Sequence, residues 1–317
     1  MKLFISRPLP EKVLAAARAR FDVIVRVQTV PLTRSEVIQS LTEFDLVLPT
    51  LRDLYSAEVF AAVSTPRAKM LGNFGVGYNH IDVAAANAAG VVVSNTPGAV
   101  TDATADIALM LMLMTARRAG EGERMVRAGQ WEGWHPTQML GLHMTGKTVG
   151  IVGMGRIGKA IALRCHYGFG MTVKFFNRSP VQNAGLPAEQ IPSLRQLAGS
   201  VDILVAAVPG GAATRHLIGA DVFGAMGPKG IFVNISRGDV VDEAALIAAL
   251  TNRAIRCAGL DVYENEPDVP AQLRALENVV LLPHLGTATL EVREAMGMMA
   301  LDNIVAFAEG RIPPNKI

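Results

Sequence analysis

Thr148-Val-Gly-Ile-Val-Gly153-Met-Gly155-Arg-Ile-Gly158-Lys-Ala-Ile-Ala162 is the stretch whose reading decides the fold. Val149, Ile151 and Val152 suit a strand hidden on both faces. A glycine turn and a helical pattern follow. Gly153 permits the tight turn, Gly155 lets backbone approach a pyrophosphate, and Gly158 lets the helix lie close on the strand. The helix N-terminus offers free N–H groups and a partial positive charge to phosphates. The turn residues Gly153, Met154, Gly155, Arg156, Ile157 and Gly158 are therefore candidate contacts of a dinucleotide. A lone G-x-G-x-x-G says little; its position between strand and helix gives it weight.

Bulk properties agree with this reading. A chain of 317 residues is long enough for two domains and a sizeable core. It is 50% hydrophobic and only 5% aromatic, as helix-covered parallel sheets require. A net charge of +2 gives no electrostatic case for nucleic acid or an acidic membrane surface. Cys165 and Cys257 form neither a disulfide framework nor a metal set and read as reduced core residues. The apolar run after Met1 is too short for a signal peptide. Leu109 to Met114 is brief and closed by Arg117 and Arg118, which predicts a buried helix and no membrane span. The expectation is a soluble, cytoplasmic α/β protein without a metal centre.

From the glycine turn backwards, strands are expected at Leu3–Ser6, Asp22–Val27, Leu46–Pro49, Met70–Asn73 and Val91–Ser94. Helical patterns lie between them, around Glu11–Arg20, Arg34–Leu41, Ser56–Val63 and Val83–Ala89. Such β-α repeats make an open parallel sheet, with ligands at the carboxyl ends of its strands. Attention falls on the loops Thr50-Leu51-Arg52-Asp53 and Phe74-Gly75-Val76-Gly77-Tyr78. The second is bracketed by glycine, so its backbone N–H groups can face a small anion; by itself it also reads as an ordinary turn.

A long helix from about Asp102 to Arg118 comes next, apolar nearly all round and so expected to be buried on most sides. Glu121 to Gly146 reads as irregular and carries Trp131 and Trp134 beside His135, which suggests a packed arm. A second β-α series predicts six strands: Thr148–Val152, Thr172–Phe176, Ile203–Ala207, Ile231–Asn234, Cys257–Leu260 and Val279–Leu282. A last helix, about Leu290–Glu309, packs most simply onto the first domain.

The strand after the glycine turn ends in Asn177-Arg178-Ser179 without the carboxylate that an NAD site usually places there. Asn177 and Ser179 can hydrogen-bond, and Arg178 can pair with a 2′-phosphate, which favours NADP over NAD; the alternative is a solvent-facing arginine. Three later strand ends carry Arg237, then Asp261 with Glu264 and Glu266, then His284. Histidine is a natural acid near neutral pH when a carboxylate stabilises its charge, and arginine binds a carboxylate in two-point geometry.

The segments Asn73–Tyr78, Thr101–Asp106, Gly153–Gly158, Asn234–Asp242, Gly259–Pro267 and Pro283–Thr289 together resemble the D-isomer-specific 2-hydroxyacid dehydrogenases, in their glyoxylate/hydroxypyruvate reductase branch. The resemblance covers nearly the whole chain. It implies two doubly wound parallel-sheet domains, a Rossmann cofactor domain (99–286) inserted into a flavodoxin-like substrate domain (1–98 plus 287–317). It makes His284 the proton donor, Glu266 its partner and Arg237 the ligand of substrate carboxylate and carbonyl. Asp261 holds the nicotinamide amide, with Ile235 and Ser236 beside the ring. Thr104, Val208, Pro209, Thr214 and Gly286 match cofactor-lining positions, and the Val76 and Gly77 backbone matches donors to the carboxylate. Trp134 falls where relatives close the substrate pocket of the other subunit, which implies a homodimer. Asp106 stands where many members have Glu, and Gly286-Thr287 replaces the commoner Gly-Ser.

The expected reaction is NADPH-dependent reduction of a small 2-oxoacid, glyoxylate or hydroxypyruvate, to the D-2-hydroxyacid. Leu51, Arg52 and Trp134 would set pocket size, so a bulkier D-lactate- or phenylpyruvate-type substrate is the alternative. A non-catalytic NAD(P)-sensing regulator on the same fold is another, disfavoured because the chain carries no interaction tails.

Overall fold

Five short apolar runs become parallel strands in the computed structural model, which describes residues 1–317. They are β1 (Lys2–Ile5), β2 (Asp22–Val25), β3 (Leu46–Leu48), β4 (Met70–Gly72) and β5 (Val92–Ser94). Their order, β2-β1-β3-β4-β5, is the flavodoxin-like doubly wound one. Alternation along each strand feeds two core layers. Leu3, Ile5, Leu46, Leu48 and Met70 pack with Leu14, Ala300 and Ile304 on one side. Phe4, Val47, Leu71 and Val93 pack with Val37, Leu41, Val59 and Phe60 on the other.

The helix Leu290–Ala308 belongs to this unit, which comprises Met1–Val100 and Thr287–Ile317. It lies so close on the sheet that a Cβ at Gly72 would come within 2.6 Å of Ile304. Its buried Asn303 donates to the Asn95 carbonyl at 3.2 Å and accepts from the Asn315 N–H at 2.9 Å, tying the C-terminal tail to the end of β5.

The helix Arg34–Glu43 starts with a reciprocal cap between Thr33 and Glu36. The Thr33 N–H, the Arg26 guanidinium and the Thr33 hydroxyl pull the Glu36 carboxyl from 4.5 down to about 2. A depressed folded-state value means stability that is complete above 4.5 and lost as pH falls toward 2. Glu36→Gln leaves the Thr33 cap in place and should therefore cost only about 0.5 kcal/mol near neutrality, the part that depends on the charge shared with Arg26. Thermal melts at neutral and strongly acid pH test this: the gap between wild type and variant should shrink in acid, and a constant gap refutes the linkage.

The second unit, Thr101–Gly286, holds a seven-stranded parallel sheet. Its strands are β6 (Thr148–Val152), β7 (Thr172–Phe176), β8 (Glu189–Gln190), β9 (Ile203–Ala206), β10 (Ile231–Asn234), β11 (Cys257–Leu260) and β12 (Val279–Leu281). The order β12-β11-β10-β9-β6-β7-β8 reverses direction at β6, the switch point where the glycine turn follows. Six of these strands match the sequence reading. The seventh, β8, is two polar residues long and pairs with β7 through Lys174↔Glu189 and Phe175↔Gln190. A run so short has no periodicity to read.

Two further expectations need correction. Ala119–Arg127 is a helix, where the sequence reading began an irregular segment at Glu121. Gly120 and Gly122 in its first turns mask it, because glycine is a poor helix former. The remainder of the arm is not packed on its own chain: Trp131 is 54% exposed and Trp134 80%. The helix Thr101–Ala116 buries Ala105, Ala108, Leu111 and Met112, yet one side stays open. There Leu109, Met110, Leu113 and Met114 face Leu163 and Tyr167 across an apolar groove of about 760 Å³. No helix is long and apolar enough to cross a membrane.

Candidate active site

The glycine turn is built as its spacing requires. Gly153 has φ +99°, and a Cβ there would meet the Ala207 carbonyl at 2.7 Å. A Cβ at Gly158 would sit 2.1 Å from the Gly153 carbonyl, so helix and turn touch backbone to side-chain-free backbone. At Gly155 a Cβ would meet nothing within 4 Å, which leaves its backbone open to an incoming group. Gly155 caps the helix Arg156–Leu163 without a side-chain hydrogen bond. Its first N–H groups are available to phosphate oxygens, so the residues fit a dinucleotide pyrophosphate. The Met154 side chain is buried in the core, which leaves its backbone to the turn.

Beyond β7, Asn177 Nδ2 donates to the Ser179 carbonyl at 2.9 Å, and the Arg178 side chain is exposed with no carboxylate partner. This fits a phosphate better than a pair of ribose hydroxyls. The loop after β9 carries Val208, Pro209 and Thr214, with the Thr214 hydroxyl donating to the Pro209 carbonyl at 2.6 Å.

The chemistry-bearing residues lie at the carboxyl ends of β10, β11 and β12, which are neighbours in the sheet. After β10, Asn234 Oδ1 accepts from the Ser236 N–H at 3.0 Å and hydroxyl at 2.8 Å, while its Nδ2 donates to the Arg237 carbonyl at 3.0 Å. That clamp positions Ile235, Ser236 and Arg237. Arg237 Nη1 donates to the Ser236 carbonyl at 2.7 Å, and its Nε is buried without a partner. Burial draws the guanidinium below its ordinary value, opposed by the charges of Glu266 and Asp239.

After β11, Asp261 is almost fully buried and accepts from the N–H groups of Leu285 at 2.6 Å and Gly286 at 2.8 Å. Its own carbonyl accepts from the His284 N–H at 3.0 Å. Burial raises its carboxyl above the ordinary range, against the pull of those N–H groups and of His284. Asp261 thus moulds the histidine loop; a carboxylate has further lone pairs for a nicotinamide amide. Thr104 donates to the Gly286 carbonyl at 3.2 Å on the same loop.

After β12, His284 takes a left-handed backbone, φ +56°, and its Nδ1–H donates to Glu266 Oε2 at 2.9 Å. Glu266 Oε1 accepts from the Tyr263 N–H at 3.2 Å. Burial alone would raise Glu266; the hydrogen bond and charge of His284, with the Tyr263 N–H and Arg237, outweigh it and hold the carboxyl below its ordinary value. With Nδ1 committed, Nε2 is the nitrogen left to exchange a proton with a ligand. Arginine, carboxylate and histidine are therefore one electrostatic group, able to bind an anion and protonate an oxygen.

The first unit, taken by itself, holds the other named residues. Asp53 is fully buried, accepts from the Leu32 N–H at 3.0 Å and the Thr50 N–H at 2.9 Å, and pairs with Arg7, which fixes the loop bearing Leu51 and Arg52. Asn73 Nδ2 donates to the Gly75 carbonyl at 3.0 Å and the Gly77 carbonyl at 3.1 Å, and Asn95 Nδ2 to the Val76 carbonyl at 2.9 Å. The carbonyls of Gly75, Val76 and Gly77 are engaged, while the N–H groups of Val76 and Gly77 donate to nothing in the protein. That is the disposition of an anion nest. Sequence reading named the loop but missed the two asparagines that brace it. Trp134 joins none of these groups in its own chain.

Comparison with known proteins adds independent support. Residues 109–286 match the profile of the D-isomer specific 2-hydroxyacid dehydrogenase NAD binding domain. The glyoxylate reductase of Thermococcus onnurineus is 41% identical, over 100% of this chain and 95% of its own. That of Pyrococcus furiosus is 40% identical over the same shares, 100% and 95%. Among solved structures, an NADPH-dependent glyoxylate/hydroxypyruvate reductase from Sinorhizobium meliloti, in complex with NADP and malonate, superposes with a TM-score of 0.88. It is 36% identical and covers 100% of this chain and 96% of its own.

Proposed function

Since the chain belongs to the D-isomer specific 2-hydroxyacid dehydrogenase family, we propose that it reduces a small 2-oxoacid, glyoxylate or hydroxypyruvate, to the D-2-hydroxyacid with NADPH, NADH serving less well. The observation that carries this is the His284–Glu266 hydrogen bond at 2.9 Å, with the half-buried Arg237 close enough for its charge to act on Glu266. NADPH, when bound, supplies the hydride. The protein binds, orients and protonates. Arg237 holds the substrate carboxylate and polarises its carbonyl. His284 gives the oxygen a proton as negative charge develops there, and Glu266 fixes and aims the imidazole through Nδ1. The family resemblance adds the Val76 and Gly77 N–H groups as further donors to the carboxylate, and Leu51, Arg52 and a partner's copy of Trp134 as the pocket wall.

Homodimerisation is part of the same reading. Trp131 and Trp134 are exposed on the arm, and the groove beside the helix Thr101–Ala116 presents Leu113, 38% exposed, and Tyr167, 70% exposed. Apolar area of this kind marks a protein contact, and a two-fold axis lets both copies cover the same patch. We place the reaction in the cytoplasm, where the buried thiols of Cys165 and Cys257 stay reduced.

Steady-state assays with glyoxylate, hydroxypyruvate and phenylpyruvate, each with NADPH and NADH, test the reading, alongside the solution mass by light scattering. Turnover restricted to phenylpyruvate moves the substrate to the bulkier class. No turnover with any 2-oxoacid ends the enzymatic reading.

A further inference from the structure

The edge strand β8 carries Gln190, whose side chain reaches beyond the sheet. Gln190 stands in register with Phe175 of β7, and the Ile191 N–H bonds the Phe175 carbonyl at 2.8 Å just beyond it. From there the Gln190 amide reaches the loop that follows β7. Its Nε2 donates to the carbonyls of Asn177 and Ser179, each at 3.2 Å, and its Oε1 accepts from the Val181 N–H at 3.0 Å. Both carbonyls need a donor and the N–H needs an acceptor, so the amide can sit only one way round. Asn177 Nδ2 adds a second bond to the Ser179 carbonyl at 2.9 Å.

The carbonyls of Asn177 and Ser179 are thereby gathered on a single amide. The N–H groups of Arg178 and Ser179 donate to nothing in the protein, and the Arg178 guanidinium has no partner. Asn73 does the same for the loop Gly75–Gly77 in the other unit, again leaving N–H groups to spare. We infer that Gln190 is a specificity-positioning residue: it holds the Asn177–Ser179 loop in the shape that receives the 2′-phosphate of NADPH, and so sets the preference for NADPH over NADH.

This rests on the reading of Arg178 as the 2′-phosphate partner. A phosphate dianion gains only from donors that are in place together, and ordering a loose loop on binding is subtracted from affinity. A 2′-hydroxyl needs fewer of them, so an unbraced loop penalises NADPH selectively.

The test uses Gln190→Met, which keeps length without the three bonds, beside Arg178→Ala, in the full-length protein. Two readouts are taken: calorimetric binding of adenosine 2′,5′-bisphosphate against AMP, and kcat/KM with NADPH against NADH. Gln190→Met should weaken adenosine 2′,5′-bisphosphate about tenfold and raise the NADPH KM by a similar factor. AMP binding, kcat and the NADH parameters should stay within about twofold. If Arg178→Ala removes the discrimination and Gln190→Met does not, the bracing role is wrong while the loop reading stands. If Gln190→Met weakens both ligands and both cofactors alike, the residue is merely structural and the inference falls. If neither variant alters discrimination, the loop reading itself fails and takes the inference with it.

Discussion

His284→Ala is expected to lower kcat by about two to four orders of magnitude, the usual worth of a positioned general acid. The KM for the 2-oxoacid should change much less, because the ring is asked to act on an oxygen whose charge develops in the transition state. The geometry supports so large an effect. The left-handed backbone at residue 284 costs energy that the fold sustains through the His284 N–H bond to the Asp261 carbonyl and the grip of Asp261 on Leu285 and Gly286. No other titratable side chain hydrogen-bonds Glu266. Glu266→Gln is the companion test. It preserves the size of the group and removes its charge, which Arg237 and His284 keep present by holding the carboxyl below its ordinary 4.5. The variant should lose kcat by about an order of magnitude or more, since a neutral amide holds the ring at Nδ1 less firmly and carries no counter-charge. A near-normal kcat in either His284→Ala or Glu266→Gln would remove the corresponding role.

Arg237→Ala should reduce kcat/KM on the preferred 2-oxoacid by roughly a thousandfold, about 4 kcal/mol, the scale of leaving one partner of a buried charge pair alone. Here the surroundings argue for a dedicated position. A Cβ on Gly210 would lie 2.7 Å from both Arg237 Cγ and Asp239 Oδ1, so the arginine stem runs in a channel that admits no side chain opposite. Asp239 Oδ2 accepts from the Gly211 N–H at 3.1 Å and secures that wall. Arg237→Lys should recover little, because an ammonium cannot repeat a two-point contact. Cofactor affinity, followed by NADPH fluorescence, should stay within a few-fold of wild type. An Arg237→Ala protein that kept its kcat/KM would show that the substrate carboxylate is held elsewhere; one that lost NADPH binding equally would show damage to the fold.

How much of this was legible beforehand depends on whether the signal is local. Strands β6, β7, β10 and β11 fall on the residues expected, because each is a short apolar run cut off by turn residues. The glycine turn was legible for the same reason: one steric demand per glycine, all within six residues. Ala119–Arg127 was hidden because glycine lowers helix propensity locally while the rest of the segment stabilises it. The arm is a different case. Two tryptophans suggest burial, but the chain offers no surface that covers them.

The amino-acid sequence by itself determined the two β-α series, the glycine turn, the missing carboxylate at Asn177–Ser179 and, through motif resemblance, the identities of Arg237, Glu266 and His284. These are properties of composition and spacing along the chain. Tertiary structure alone decided which residues hold them in place. Asp261 reaches Leu285 and Gly286, Asn73 gathers the carbonyls of its loop, and Gln190 braces a turn more than ten residues earlier. A hydrogen-bonding side chain looks the same in sequence whether it faces water or a distant carbonyl; only the pairing order of the parallel strands settles which backbone group it meets.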